Sequence, residues 1–339
     1  MADDTVVGTL LGETTCEYAL AMGDEKVDMN KIQELYEDKL EGVFSCNITK
    51  GGEVLPEFAY EAKETLHAPV IISGKPRVLI PVFPGTNCEY DSAKTFKNAG
   101  ADPEIFIVRN LKAGDVSDCA KEFAKLIEKT NIIFLPGGFS GGDEPDGSGK
   151  FITAFFRNPE IKDAVHNLLH NKDGLMAGIC NGFQALIKLG LVPYGEIRDM
   201  DDTCPTLTFN TISRHQSRIV STRVCSNKSP WLANCNVGDI HTMPISHGEG
   251  RFVCSDELLK ALADNGQIAT QYVDNDGNPT MDIRFNPNGS IAAIEGITSP
   301  DGRVFGKMGH SERLGKNLYR NISGNLDTPI FDNAVKYFK

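Results

Sequence analysis

No stretch of the 339 residues approaches the ~18 consecutive apolar residues that a membrane-spanning helix needs. No basic, apolar, small-residue order opens the chain as a secretory leader would. A protein of the cytosol, without a membrane partner, is therefore expected. Paired cysteines are missing as well: the nine, at 16, 46, 88, 119, 180, 204, 225, 235 and 254, include no C-x-x-C. An odd, scattered set argues against a disulfide framework and a thiolate zinc site, so free thiols and no metal are expected. Positive charge is scarce: 34 Lys and Arg against 46 Asp and Glu leave a formal charge of −12. That balance disfavours a nucleic-acid partner, whose phosphates call for a basic face. Neither G-x-x-x-x-G-K-[ST] nor a properly placed G-x-G-x-x-G occurs, which removes two common phosphate cradles.

The acidity is concentrated at the front. Residues 1–75 carry 15 acidic and 6 basic side chains, a net −9, and the rest of the chain only −3. Within this segment "TVVGTLLGETTCEYALAMGDEKVD" reads as two strands with a turn at Gly23-Asp24. "MNKIQELYEDKLEGVF" places Ile32, Leu35, Tyr36, Leu40 and Val43 on one helical face. So short a segment buries little by itself. Residues 1–48 are expected to be a small α+β appendage or a piece of a preceding domain, 49–75 a linker or extended strap, and 76–339 the main domain.

From Arg77 strands and helices alternate: "RVLIPVF", a helix over 89–99, "EIFIV", a helix over 118–129, "NIIFLP", a helix over 159–171, and "GLMAGIC". Such alternation implies right-handed crossovers and a mainly parallel open sheet with helices on both faces. After Leu191 the text becomes strand-rich, which adds antiparallel strands, with a helix capped by Ser255 and a closing helix in "TPIFDNAVKYF". Ligands in parallel sheets bind beyond the carboxyl ends of the strands. Three unusual loops fall there: "FPGTNCE", "PGGFSGGDEPDGSGK" and the corner at Cys180.

Cys180 sits between glycines in "GICNG", where an apolar strand turns into a helix. That pattern suits a nucleophile elbow: small flanking residues permit the tight turn, and the helix N-terminus favours a thiolate. A base is offered by "GHSER". If the backbone stays extended, His310 and Glu312 at i and i+2 project to one side, and the carboxylate can orient the imidazole. Gly137, Gly138, Gly141 and Gly142 let backbone N–H groups approach a ligand and, with the N–H of Asn181, hold a tetrahedral oxyanion. His166 and His170, at i and i+4, lack the Glu of H-E-x-x-H and read as an exposed helix face.

These residues resemble the class I (triad) glutamine amidotransferases. "FPGTNCE", "GGFSGGDE", "GICNGFQ", "SHGEGRF" and "IEGITSPDGRVFGKMGHSER" are more closely similar to the glutaminase part of the phosphoribosylformylglycinamidine synthases, over residues 76 to about 335. The loop "FSGGDEPDGSGK" departs from many members, which carry an aromatic residue within it and a basic one after it. The resemblance implies a flavodoxin-like fold and hydrolysis of L-glutamine through a cysteine thioester, with Cys180, His310 and Glu312 as the triad and Gly138 and Asn181 as oxyanion donors. It also implies that Gln184 contacts the amino-acid end of glutamine. Phe139, Ser213, Arg214 and His247 join Gln184 as substrate-binding candidates, though a satisfied core histidine is the favoured reading of His247. The front segment looks like the tail of a synthetase in the long single-chain form, and the chain like its C-terminal fragment. No cofactor is expected in this chain; ATP and magnesium belong to the synthetase portion. Two alternatives stay open: another cysteine amidohydrolase of related fold, or a docking module inactive without its synthetase.

Overall fold

The computed structural model describes residues 8–43, 54–62, 69–142, 147–315 and 317–339. Part of the expected linker (49–53 and 63–68) and part of the glycine-rich loop (143–146) lie outside these residues. The chain divides into two compact units, Met1–Ile48 and Thr49–Lys339. In the first, strands β1 (Ala19–Met22) and β2 (Glu25–Asp28) pair antiparallel about Gly23-Asp24. Helix α1 (Met29–Asp38) follows, capped by the Asp28 carboxylate, which accepts the Asn30 N–H at 2.9 Å. The apolar face of α1 stays open, with Leu35 75% and Tyr36 83% exposed.

In the second unit β3 (Arg77–Val82), α2 (Glu89–Asn98), β4 (Asp102–Ile107), α3 (Asp115–Ile127) and β5 (Ile132–Leu135) come first. Next are α4 (Lys150–Phe156), α5 (Pro159–Asn171), β6 (Leu175–Ile179), α6 (Asn181–Leu189) and a single turn, α7 (Leu191–Tyr194). The strand-rich half contains β7 (Thr206–Phe209), β8 (Gln216–Val224), β9 (Ile240–His247), β10 (Glu249–Val253) and α8 (Asp256–Asp264). It closes with β11 (Ile268–Val273), β12 (Ile294–Thr298), β13 (Val304–Lys307) and α9 (Ile330–Lys336). Nine strands form one sheet in the order β4-β3-β5-β6-β13-β12-β11-β8-β9, while β7 and β10 pair separately. From β4 to β13 neighbours are parallel, and from β13 to β9 antiparallel, so the mixed sheet is half of each kind.

Every residue of β5 and β6 is buried, as expected for strands covered on both faces. One aromatic cluster joins α2, β5 and α9 through Phe96, Phe134 and Phe331, with centroids 4.9–5.7 Å apart. Another joins β4, α3 and α4 through Phe106, Phe123, Phe155 and Phe156. Helix α4 has no counterpart in the sequence reading: its seven residues are too few to display a period, and Ile152, Thr153, Phe155 and Phe156 are all buried. Helix α3 starts three residues earlier than expected, where Gly114 takes a left-handed conformation. His166 is half-buried rather than part of an exposed face, because its Nε2 accepts the Ile197 N–H at 2.8 Å. Residues 54–62 run along the second unit's sheet, where the Tyr60 N–H donates to the Cys225 carbonyl at 2.8 Å and Phe58 N–H to Gln271 Oε1 at 3.1 Å.

The register of the central strands fixes where the loops emerge. Leu135 lies opposite Gly178, and Ile179 opposite Lys307, so the chain leaves β5, β6 and β13 at one level. Helix α6 then packs back against β5 so closely that a β-carbon on Gly182 would lie 2.1 Å from the Leu135 carbonyl oxygen. Gly182→Ala should therefore push α6 off the sheet and cost about 3 kcal/mol. A urea-unfolding midpoint equal to that of the parent would contradict this packing argument.

Candidate active site

Cys180 is the hinge between β6 and α6, with φ 54° and ψ −107°, a conformation that L-residues rarely adopt. Its N–H donates to the Lys307 carbonyl at 2.9 Å, and its own carbonyl accepts the Gln184 N–H at 3.0 Å. The turn is thus tied to β13 on one side and to the helix on the other. Its sulfur lies 3.6 Å from the Ser246 carbonyl oxygen, and only 5% of the residue is exposed.

His310 and Glu312 meet beside it, though not through an extended backbone. The chain turns after β13, with the Arg313 N–H donating to the His310 carbonyl at 3.3 Å, and this turn brings Nδ1 and Oε1 to 2.5 Å. The His310 N–H is held by the Pro244 carbonyl at 2.8 Å. Burial disfavours the imidazolium, but the Glu312 carboxylate above all, with Cys180 and Cys88 as further neighbours, outweighs it and holds His310 well above the usual range. Burial likewise opposes ionisation of Glu312, and the charge and hydrogen bond of His310 reverse that, holding its carboxyl below the usual range. The pair is therefore imidazolium and carboxylate at neutral pH. His310 Nε2 and Glu312 Oε2 are buried and have no hydrogen-bond partner of ordinary geometry among the described residues.

Two residues that the motif reading passed over complete this cluster. Cys88, in the "FPGTNCE" loop, lies with Sγ 3.9 Å from His310 Nδ1, and Arg313 donates to the same sulfur from Nη2 at 3.0 Å. Ligand atoms of Cys88, His310 and Glu312 lie within 4.8 Å of one another, as a cation site requires. The Arg313 guanidinium already brings a positive charge to that point, so the set is electrostatically unsuited to a metal. The placement of "FPGTNCE" at a strand end is the signal that could have drawn attention to Cys88.

The loop after β5 closes the other side. Thr86 and Gly138 form an isolated antiparallel bridge, in which Phe139 N–H donates to the Gly85 carbonyl at 2.8 Å and Asn87 N–H to the Gly137 carbonyl at 3.2 Å. The N–H of Gly138 takes no part in that bridge. Gly137 abuts three of these side chains: a β-carbon there would lie 2.7 Å from His310 Cε1, 3.3 Å from Cys88 Sγ and 3.5 Å from Cys180 Cβ. Asn181 Oδ1 accepts the Ser140 N–H at 3.2 Å, and its Nδ2 donates to Gln184 Oε1 at 3.0 Å. Gln184 in turn donates to the Glu249 carbonyl through Nε2. Both ends of this buried amide are thus engaged by protein, and a contact with substrate requires it to exchange partners.

Of the remaining candidates, Phe139 is 48% exposed and packs beside the His215 ring, with centroids 6.3 Å apart. His215 Nε2 lies 3.0 Å from Ser246 Oγ, one residue from the bend that carries His247. Ser213 and Arg214 occupy the turn before β8, which Asn210 fastens by donating to the Arg214 carbonyl at 3.0 Å and the His247 carbonyl at 2.8 Å. His247 itself is buried, with Nδ1 3.2 Å from Asn210 Oδ1 and Nε2 lacking a partner among the described residues. Burial, with the neighbouring charges of His310 and His215, pushes it down to about 3, so it stays neutral.

A buried cysteine on a strand-to-helix corner thus lies beside a His–Glu pair and a glycine loop at the ends of parallel strands. Residues 75–338 match the model of the CobB/CobQ-like glutamine amidotransferase domain, and the chain belongs to that family. The phosphoribosylformylglycinamidine synthase subunit PurQ of Methanococcus maripaludis is 34% identical over 283 residues, 78% of this chain and 97% of the relative. That of Aquifex aeolicus is 31% identical over 72% of the chain and 93% of the relative. Among solved structures, PurLQS from Thermotoga maritima is similar with a TM-score of 0.57 and 26% identity, covering 78% of this chain and 100% of the other.

Two outcomes follow from this geometry. Gly137→Ala should displace His310 and lower turnover by on the order of 100-fold with the melting temperature nearly unchanged; turnover equal to the parent's would show that the loop does not bear on His310. His247 titrates near 6.5 when unfolded and about 3 when folded, so its stabilising contribution is complete above ~6.5 and is lost as pH falls toward 3. His247→Gln should accordingly flatten the pH dependence of unfolding free energy between pH 6 and 5 by about 1 kcal/mol per unit. Urea titrations at the two pH values measure it, and an unaltered slope would count against a buried neutral imidazole.

Proposed function

We propose that this chain hydrolyses L-glutamine at Cys180 and delivers the ammonia to a synthetase that converts formylglycinamide ribonucleotide to its amidine in purine biosynthesis. The reading is carried by the buried His310–Glu312 ion pair beside Cys180, in a chain whose relatives are PurQ subunits. The Cys180 thiol proton resides on His310, and the resulting thiolate Sγ attacks the side-chain amide carbon of glutamine. The N–H groups of Gly138 and Asn181 take the developing oxyanion, and the α6 N-terminus adds its dipole. His310, already protonated, gives its proton to the departing nitrogen as the C–N bond breaks, leaving a glutamyl thioester and ammonia. A water molecule then attacks the thioester while His310 accepts its proton, and glutamate leaves. Glu312 holds the ring in the required orientation and stabilises its cation. Neutral His247 offers Nε2 to substrate without competing charge. The Phe139 side chain and the Ser213–Arg214 turn border the approach to Cys180 and are assigned to the α-amino and α-carboxylate end. Gln184 braces the oxyanion loop through Asn181.

Only 5% of Cys180 is exposed, so access to it depends on the surrounding loops, and a docked synthetase that shifts them would change turnover. The ATP and magnesium needed for amidine formation belong to that partner. An electrophilic glutamine analogue should form one adduct, on Cys180, protected by excess glutamine and absent from Cys180→Ala, as read by peptide mapping. Scattered, unprotected labelling would refute the nucleophile. Cys180→Ala should reduce glutamate release to background and Glu312→Gln by on the order of 10⁴-fold at most. Appreciable turnover by the alanine variant, or a larger loss in the glutamine variant, would overturn the assigned roles.

A further inference from the structure

Behind the His310 turn lies a second buried ion pair that the proposed chemistry does not use. Lys307 ends β13 and Glu295 lies on the adjacent β12; both are essentially inaccessible, with Nζ 3.3 Å from Oε1. Glu295 Oε1 accepts the Gly309 N–H at 2.6 Å, and Oε2 accepts the Thr270 hydroxyl at 2.5 Å. Lys307 Nζ donates to the Gly309 carbonyl at 3.1 Å and to Ser311 Oγ at 3.0 Å, and lies 2.8 Å from Met243 Sδ. Carboxylate and ammonium thus grip the two polar groups of one residue, and the ammonium also holds the residue two further on. Between those residues stands His310.

A buried ion pair is a poor device for stability alone, because apolar side chains of similar volume avoid its desolvation cost. Apolar side chains, however, offer nothing to the Gly309 N–H, the Gly309 carbonyl or the Ser311 hydroxyl. Lys307 also reaches the nucleophile, since its backbone carbonyl accepts the Cys180 N–H at 2.9 Å. One residue therefore binds the cysteine elbow through its main chain and the histidine turn through its side chain. We propose that the Lys307–Glu295 pair positions His310 relative to Cys180, setting the separation across which the proton moves. The inference rests on the assignment of His310 as the proton carrier.

The test is the double variant Lys307→Met/Glu295→Gln in the full chain, which removes both charges together and leaves no unpaired buried ion. Leu262→Ala, a buried site on α8, serves as a destabilised comparator. Three quantities are read: kcat and KM for glutamine, melting temperature, and the rate at which iodoacetamide labels Cys180 at pH 6.5. The double variant should lose on the order of 100-fold in kcat with KM within about threefold, and label about tenfold more slowly. The comparator should keep kcat and labelling near the parent's at a similar loss of melting temperature. Values for the double variant within about threefold of the parent, or an equal loss in the comparator, would overturn the proposal. If the parent releases no glutamate either alone or with an added synthetase, the glutaminase reading fails, and the labelling rates still decide whether the pair positions His310. Should the double variant not fold, Ser311→Ala replaces it: a five- to tenfold loss of kcat supports the claim, and less than about twofold overturns it.

Discussion

Strands β5, β6 and β13 lie side by side and parallel, with Leu135 opposite Gly178 and Ile179 opposite Lys307, and the site depends on that register. Parallel strands point their carboxyl ends the same way, so three segments distant in sequence leave the sheet together. The glycine loop, the cysteine elbow and the histidine turn converge for that reason. A slip of one residue in β13 would carry His310 ~3.3 Å along the strand and turn Lys307 to the opposite face. The antiparallel pairing of β13 with β12, Gly296 opposite Lys307, guards against such a slip from the other side. The change from parallel to antiparallel order at β13 thus has a local use: the strand that leads to His310 is clamped by one parallel and one antiparallel neighbour.

Burial sets the charge states within this frame. His310 and Glu312 are desolvated together, and each ionised form persists because the other is present. His247, buried a short way off, finds a cation rather than a carboxylate as neighbour and is driven to the neutral form. Two neighbouring histidines are therefore pushed in opposite directions, one toward the protonated form and the other toward an uncharged hydrogen-bonding group. Such divergence between neighbouring titratable groups is what acid–base chemistry near neutral pH requires. The buried Nε2 atoms of His310 and His247 have no hydrogen-bond partner among the described residues, a cost that a bound amide would offset.

Much of this was legible in the amino-acid sequence, and what was not shares a physical character. Periodicity exposed β3 to β6 and their helices, because each buries a continuous apolar face that local spacing reveals. Cys180, His310 and Glu312 stood out because glycines or a strand end flank them. Cys88 and Arg313 did not, since their contact joins residues 225 positions apart and leaves no local pattern. Asn210, Lys307 and Glu295 were hidden in the same way: their partners come from other strands, and nothing in "FNTIS" or "FGKMG" announces a buried network. Helix α4 escaped because seven residues are too few to show a stripe. The His310–Glu312 geometry illustrates a subtler gap, in which the two residues meet through a turn rather than along a straight strand.

The cysteine elbow shows how such a fold carries strain where it is useful. At φ 54° and ψ −107° Cys180 sits where glycine would rest at lower energy, and a non-glycine residue there costs on the order of 1–3 kcal/mol. The conformation persists because its surroundings leave no alternative: the amide is committed to Lys307, the following helix lies against Leu135 with no room at Gly182, and the carbonyl begins the helix through Gln184. Relaxing φ would break the first of these bonds and drive α6 into β5. The strain therefore cannot be relieved locally, and the sulfur stays aimed out of the turn beside His310. Stability alone would select glycine at position 180, and the presence of a side chain there marks a position where the fold's preference has been overruled by chemistry.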